Sequence, residues 1–349
     1  MAFNIKKKIT DFHYGKKSAL LTALFILPTV FYFLFINIKN FLYKINFLKE
    51  TVVEPFIICV GNLTTGGVGK TPVVIELANF LAEKNLKVAI LSRGYQGKLD
   101  NKKVNLIKNF DKILIDDPIL SGDEVNLISK KTKNVVVVTS SNRIKAAKYL
   151  KENFNIQVII MDDGFSNRKI KKNLSLLLID SKSAFGNGFC LPMGPLREPL
   201  SEIKRADKII VVQKGGSGEI NPYITKNIKD FEICKMIKGE IYNIKTGEIL
   251  DKKEVLAFSG IGAPDKFYSI LNDLEIKKTI SFDDHFEYNQ KTVDMINEKL
   301  KSLNLKAAVT TEKDMVKILK FQNVDNFYAL KLKPLINFNK ILDNVNLFN

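Results

Sequence analysis

Cysteine and histidine are both scarce in this chain. Three cysteines, Cys59, Cys190 and Cys234, are scattered through 349 residues with no CxxC spacing. An odd number of distant thiols excludes a disulfide framework and a zinc site, and fits a reducing compartment. Each is expected to be a small buried hydrophobe. With only two histidines, His13 in a basic N-terminal tail and His285 in FDDHFEY, a Cys/His-built metal centre is excluded as the basis of function. No RNA- or DNA-binding motif occurs, and no basic tract is interleaved with aromatics, so nucleic acid is not an expected partner. Nor is there any internal repeat of long period. Acidic residues are outnumbered, 37 Asp+Glu against 54 Lys+Arg, for a formal net charge of +17. Part of that excess is a lysine-rich solvated surface. The rest attracts polyanions, whether nucleic acid, anionic lipid headgroups or phosphorylated substrates, and charge by itself does not choose among them.

Hydrophobic residues make up 46% of the chain, enough for two packed domains. Charge is absent altogether from Ser18 to Ile36, SALLTALFILPTVFYFLFI. That run is close to the roughly 20 residues a membrane-spanning helix needs. Pro28 is tolerated there, and Tyr32 and Tyr43 stand where interface residues do. Lys6, Lys7, Lys8, Lys16 and Lys17 precede it; Lys39, Lys44 and Lys49 follow, so the charge rule sets no orientation. No small-x-small cleavage site follows, which argues against a signal peptide. A buried soluble helix is the other alternative. The expected division is a membrane-anchoring region at 1–50, a first and larger domain at 51–215, and a hairpin linker with a smaller α/β domain at 216–349.

From Pro55 onward short apolar runs alternate with helical patterns. FIICV (56–60), VAILS (88–92), NVVVVTS (134–140), QVIIMDD (157–163), LSLLLID (174–180) and KIIVVQ (208–213) read as strands. Runs apolar on both faces imply an α/β fold, a mainly parallel sheet covered by helices on both sides. A Gly/Ser-rich stretch at 215–218 reads as a linker. ICKMIKG and EIYNIKTG after it read as a hairpin. VLAFSGIG (255–262) and AAVTTEKD (307–314) belong to the second unit.

The strongest chemical signal is VGNLTTGGVGKTP, Val60–Pro72, between an expected strand and an expected helix. This is the setting of a phosphate-binding loop. Thr65, Gly66, Gly67, Val68, Gly69, Lys70, Thr71 and Pro72 form the expected ATP-contacting stretch. The glycines let N–H groups wrap phosphates. Lys70 would bridge the β- and γ-phosphates, and Thr71 would hold Mg²⁺. Thr64 stands where the general pattern has Gly or Ala. Phosphoryl transfer also needs carboxylates. Asp162 and Asp163, at the end of an expected strand, suit a metal site; a turn is the alternative. Asp123 and Glu124 open an expected helix, where Asp123 alone reads as an N-cap and Glu124 is a further metal candidate. His285 has three acidic neighbours, and sequence alone pairs it with nothing. Arg197, in the Pro-rich loop 186–199, could clamp a phosphate; simple rigidity is the alternative.

Together these islands resemble the tetraacyldisaccharide 4'-kinases, the lipid A 4'-kinases. The matching segments are VGNLTTGGVGKTP, LSRGYQG, GDE, MDDGF, GNG…LPMGPLREP, FSGIGAPDKF, DDHFEY and TTEKDMVK, in order through most of the chain. The resemblance implies a P-loop NTPase core and a smaller C-terminal α/β domain joined by a two-stranded linker, with the site in the cleft. It implies ATP and Mg²⁺ at Lys70 and Thr71, and metal carboxylates at Asp162 and Asp163. It also implies a catalytic Asp123–His285 pair accepting the proton of a 4'-hydroxyl, and Tyr95 and Arg197 near nucleotide and substrate. The implied partner is an acylated glucosamine disaccharide 1-phosphate in a bacterial inner membrane with an anionic surface, with the catalytic domains facing the cytoplasm. No obligate protein partner is inferred. Ser166-Asn167 depart from the family's common Gln-His after DDGF. Asp283 and Phe286 replace its Pro and second His, and Met193 its common Ala. A different class is a membrane-bound regulatory or assembly NTPase, in which water rather than a lipid receives the phosphate.

Overall fold

The computed structural model describes residues 2–214, 218–262, 264–343 and 345. The expected linker at 215–218 lies, except for Gly218, outside the described residues, as does Ala263 of FSGIGAPDKF. All six expected strands of the first unit are present: β1 Phe56–Gly61, β2 Val88–Ser92, β5 Val135–Thr139, β6 Val158–Asp162, β7 Leu174–Asp180 and β8 Lys208–Lys214. Two further strands, β3 Asn105–Asn109 and β4 Lys112–Ile113, extend that edge. The chain continues through β9 Glu232–Asn243, β10 Glu254–Ser259, β11 Glu275–Ser281, β12 Ala308–Thr311 and β13 Phe327–Leu335.

These strands form one sheet in the order β11-β10-β12-β13-β9-β8-β7-β1-β6-β2-β5-β3-β4. From β9 through β8, β7, β1, β6 and β2 to β5, every neighbouring pair is parallel. Because side chains alternate across a strand, the sheet has two apolar faces. On one, Ile58, Val60 and Ile160 pack with Val73, Leu77 and Leu81 of the helix Lys70–Glu83. On the other, Ile57, Cys59, Ile159 and Met161 pack with Ala146, Ala147 and Leu150 of the helix Arg143–Phe154. In the C-terminal part, Leu256 and Phe258 of β10 face one core, and Val255 and Ala257 the opposite one. The fold is the expected P-loop-type α/β arrangement, and all three cysteines are free and buried.

The expected hairpin is not formed. ICKMIKG and EIYN are one continuous strand, β9, which pairs in parallel with β8 and antiparallel with β13. Its antiparallel partner is thus supplied from the far C-terminal end of the chain.

The apolar N-terminal run forms a helix, Ala19–Lys44, capped by Ser18, whose Oγ accepts from Leu21 N–H at 3.3 Å. At 1.5 Å per residue its 26 residues reach about 39 Å. It is long and apolar enough to cross a membrane. Thr29, Tyr32, Ile36 and Asn40 form a narrow stripe turned to the protein. Met193 N–H donates to Thr29 Oγ1 at 3.0 Å, and Tyr32 donates to the Arg197 carbonyl at 2.8 Å. Leu20, Leu27, Phe31, Phe35 and Ile38 point away from it, exposed.

Candidate active site

The phosphate loop joins β1 to the helix Lys70–Glu83, at the C-terminal edge of the parallel strands. This is the ligand edge of such a sheet. Gly69 is the helix N-cap, with φ 102° and no side-chain cap, so the first N–H groups of the helix have no partner of that kind. Lys70 Nζ donates to Asn62 Oδ1 at 2.9 Å and stands 3.6 Å from Asp163 Oδ1. Thr71 and Val68 are buried behind the loop, and Pro72 is half-buried. Thr64 pairs with Leu196, and Thr65 N–H donates to the Pro195 carbonyl at 2.8 Å. The unusual first position of the motif is therefore where the loop is stitched to the 186–199 segment.

The carboxylates stand beside it. β6 lies next to β1, with Asp162 in register with Val60. Asp162 Oδ2 accepts from Ser92 Oγ at 3.0 Å, whereas its buried Oδ1 has no partner among the described residues. Burial pushes the Asp162 carboxyl up to about 6, with the charges of Glu124 and Asp163 adding to the shift. Asp163 is partly exposed, and Lys70 and Arg197 hold its carboxyl well below the usual range. Arg197 grips it two-pronged, with Nη1 donating to Oδ2 at 2.8 Å and Nη2 to Oδ1 at 2.9 Å.

A divalent cation fits this arrangement. An orphaned carboxylate oxygen in a buried site costs free energy unless a proton or a cation meets it. Among the described residues no three His, Cys, Asp or Glu side chains form a ready-made cage. Mg²⁺ bound by one or two carboxylates and substrate phosphates needs none.

The second half of the site starts at Gly122, the N-cap of the helix Asp123–Lys131. Its φ of 91° demands glycine, and a Cβ there would lie 2.7 Å from the Tyr95 carbonyl. That close approach brings the SRGYQG loop onto the helix start. Asp123 Oδ1 accepts from Glu124 N–H at 3.0 Å. Its Oδ2 lies 3.0 Å from His285 Nδ1. His285 itself has φ 61°, and its N–H donates to the Gly260 carbonyl at 3.1 Å. The hydrogen bond to Asp123 raises the His285 pKa. Burial works against the Asp123 charge, but the His285 hydrogen bond and Lys317 pull its carboxyl far below the ordinary range. The Tyr95 ring stands edge-on to the imidazole, with centroids 6.2 Å apart.

A family model described as Tetraacyldisaccharide-1-P 4'-kinase, LpxK, matches residues 21–346. The chain belongs to this kinase family. It is similar to the tetraacyldisaccharide 4'-kinase of Halothermothrix orenii, 34% identical over 320 residues and covering 84% of this chain and 83% of that protein. The enzyme of the same name from Aquifex aeolicus is 34% identical over 305 residues, covering 85% and 89%. Among solved structures, the "apo" form of LpxK from Aquifex aeolicus in complex with ATP superposes with a TM-score of 0.74 at 30% identity, covering 95% of this chain and 100% of that one.

In this kinase the structure brings Lys70, Asp162, Asp163 and Arg197 into one cluster, and Asp123, His285 and Tyr95 into a second. Glu124 links them: it is paired with Lys313, yet its charge reaches Asp162. Arg197 was expected as a phosphate clamp and here holds Asp163 and the Asn62 carbonyl, the latter at 2.9 Å. His13, expected in a tail, is buried with Nε2 2.8 Å from the Pro192 carbonyl. Three residues were missed from sequence. Asn62 accepts from Lys70 and Arg197, Ser92 binds Asp162, and Arg143 lies beneath the Asp162 backbone. Asn62 and Ser92 lie inside motifs already singled out; nothing in the local sequence marks Arg143.

Proposed function

We propose that this kinase transfers the γ-phosphoryl group of ATP to the 4'-hydroxyl of a tetraacyl glucosamine disaccharide 1-phosphate, and that the residues named above carry the reaction. The observation that carries the reading is the Asp123–His285 pair beside a phosphate loop of this family. Lys70 and the helix N-terminus bind the phosphates and neutralise charge gathering on the transferred group. Thr71, Asp162 and Asp163 would hold Mg²⁺, which would supply positive charge against the phosphates. Asp123, kept ionised, orients the attacking hydroxyl, and the pair with His285 takes its proton. Tyr95 and Arg197 border the acceptor and the transferring phosphate. Residues 51–215 form the nucleotide domain and 216–349 the smaller domain that delivers His285.

The acceptor is a lipid, and the helix Ala19–Lys44 suits it. Its exposed apolar faces enter the bacterial inner membrane, its docked stripe touches the loop carrying Arg197, and its lysine-flanked ends meet an anionic surface. The catalytic parts face the cytoplasm, where ATP is.

The test uses purified protein in mild detergent, γ-labelled ATP, Mg²⁺ and the lipid acceptor. Label enters the lipid, and Asp123→Ala lowers the rate by about 10²–10⁴-fold. Label appearing only as free phosphate would replace this reading with an NTPase.

A further inference from the structure

TTEKDMVK supplies Lys313 and Lys317, the lysines beside Glu124 and Asp123. It runs from the end of β12 into the helix Glu312–Ile318, with Thr311 as N-cap. Its polar side chains reach both halves of the Asp123–His285 pair. Lys317 Nζ lies 3.2 Å from Asp123 Oδ2 and donates to the Phe286 carbonyl at 3.4 Å. Lys313 pairs with Glu124. Glu312 accepts from the Tyr242 hydroxyl at 3.0 Å and pairs with Lys131 at 2.7 Å. Asp314, fully buried, accepts from Gly260 N–H at 3.0 Å, and the Gly260 carbonyl is the one that accepts from His285 N–H.

This one short helix therefore holds the carboxylate through Lys317 and the imidazole's backbone through Asp314. The hold on His285 matters because φ 61° is a conformation a non-glycine residue keeps only where its surroundings impose it. The hold on Asp123 matters because the carboxylate would otherwise be oriented only by its own helix's N–H and the imidazole.

We propose that Lys317 is a positioning residue for phosphoryl transfer. Its ammonium ties the Asp123 carboxylate to the backbone of the loop that carries His285, and so fixes the orientation in which Asp123 meets the attacking hydroxyl. The proposal rests on the reading of Asp123 as the group that meets that hydroxyl. The arrangement assigns Lys317 no contact with ATP, so its effect falls on turnover.

The test is a double-mutant cycle on the full chain in detergent, with ATP, Mg²⁺ and the tetraacyl disaccharide 1-phosphate. Lys317→Met keeps the stem and removes the charge; should it not fold, Lys317→Gln takes its place. The expected result is a kcat lowered at least about tenfold with the KM for ATP changed less than about twofold, and partial recovery in Lys317→Arg. In an Asp123→Asn background the same Lys317 substitution has little further effect, because there is no carboxylate left to position. A purely structural lysine would instead lower activity by the same factor in both backgrounds, and that result overturns the proposal. Full activity in Lys317→Met overturns it too, while leaving the role of Asp123 intact. Full activity in Asp123→Asn alone would show that the underlying reading of the pair has failed.

Discussion

Asp123 Oδ2 and His285 Nδ1 lie 3.0 Å apart although 162 positions separate the two residues in the chain. Each is displayed on a locally constrained backbone. Asp123 follows a glycine at φ 91°, and His285 itself sits at φ 61°. The pair spans the nucleotide-binding part of the sheet and the C-terminal part, so a change in how those parts meet acts on this bond.

The pair makes stability depend on pH. His285 has its pKa raised above 6.5 by Asp123, so its contribution is complete below 6.5 and is lost as pH rises through the raised value. Asp123 has its pKa lowered below 3.8, so its contribution is present above 3.8 and is lost as pH falls through the lowered value. The Tm difference between the natural protein and His285→Gln is therefore expected to be largest between these values and to shrink as pH rises above 6.5. Thermal melts of both proteins across that range check it. A difference that grows toward alkaline pH would contradict the pairing.

Asp162→Asn should act through the metal. The amide keeps the side chain's shape but cannot supply a charged ligand at the orphaned Oδ1 position. The Mg²⁺ concentration for half-maximal rate is expected to rise at least about tenfold, and chelation of divalent cations should abolish transfer in the natural protein. A Mg²⁺ titration at fixed ATP measures this. An unchanged midpoint would remove Asp162 from the metal site.

Arg197→Lys should not be a conservative change. Arg197 uses both Nη atoms on Asp163 and also reaches the Asn62 carbonyl. A lysine offers a point charge without the fork. We expect kcat/KM to fall by roughly tenfold or more, with a small change in Tm because the pair is partly exposed. Steady-state kinetics and a melt, run together, separate the two effects.

The outward face of the helix Ala19–Lys44 should bind lipid. Phe31 and Phe35 are both exposed there. Each buried Phe is worth about 1.5–3 kcal/mol, so Phe31→Ser with Phe35→Ser should weaken partitioning into anionic vesicles by at least about tenfold. Sedimentation with vesicles is the measurement. Equal binding of variant and natural protein would mean that this face is covered by something other than lipid.

Much of the nucleotide half was legible locally. The strands β1, β2, β5, β6, β7 and β8 are short runs apolar on both faces, and each signals its own burial. The phosphate loop carries its own signature because glycines, lysine and threonine act within one turn of chain. The C-terminal half was less legible. β11, EIKKTIS, is an exposed edge strand with lysines, so no apolar pattern marks it. At the opposite edge β4 is only two residues long, and β3 beside it sets just Leu106 and Ile107 among polar residues, too little for an apolar run.

What the sequence determined by itself was local chemistry: which segments bury both faces, where a backbone can wrap phosphate, and which helix is apolar enough for lipid. Partnership between distant residues was decided by the tertiary structure. Local alternation in residues 232–243 looks the same for half a hairpin as for a single strand, and only the arrival of β13 chooses the latter. In the same way Asp123 reads as a helix cap and His285 as an isolated histidine until the sheet closes the 162-residue gap between them. Hydrogen bonds and ion pairs act over a few ångströms, and the long-range packing that brings such groups together leaves no mark in the residues beside them.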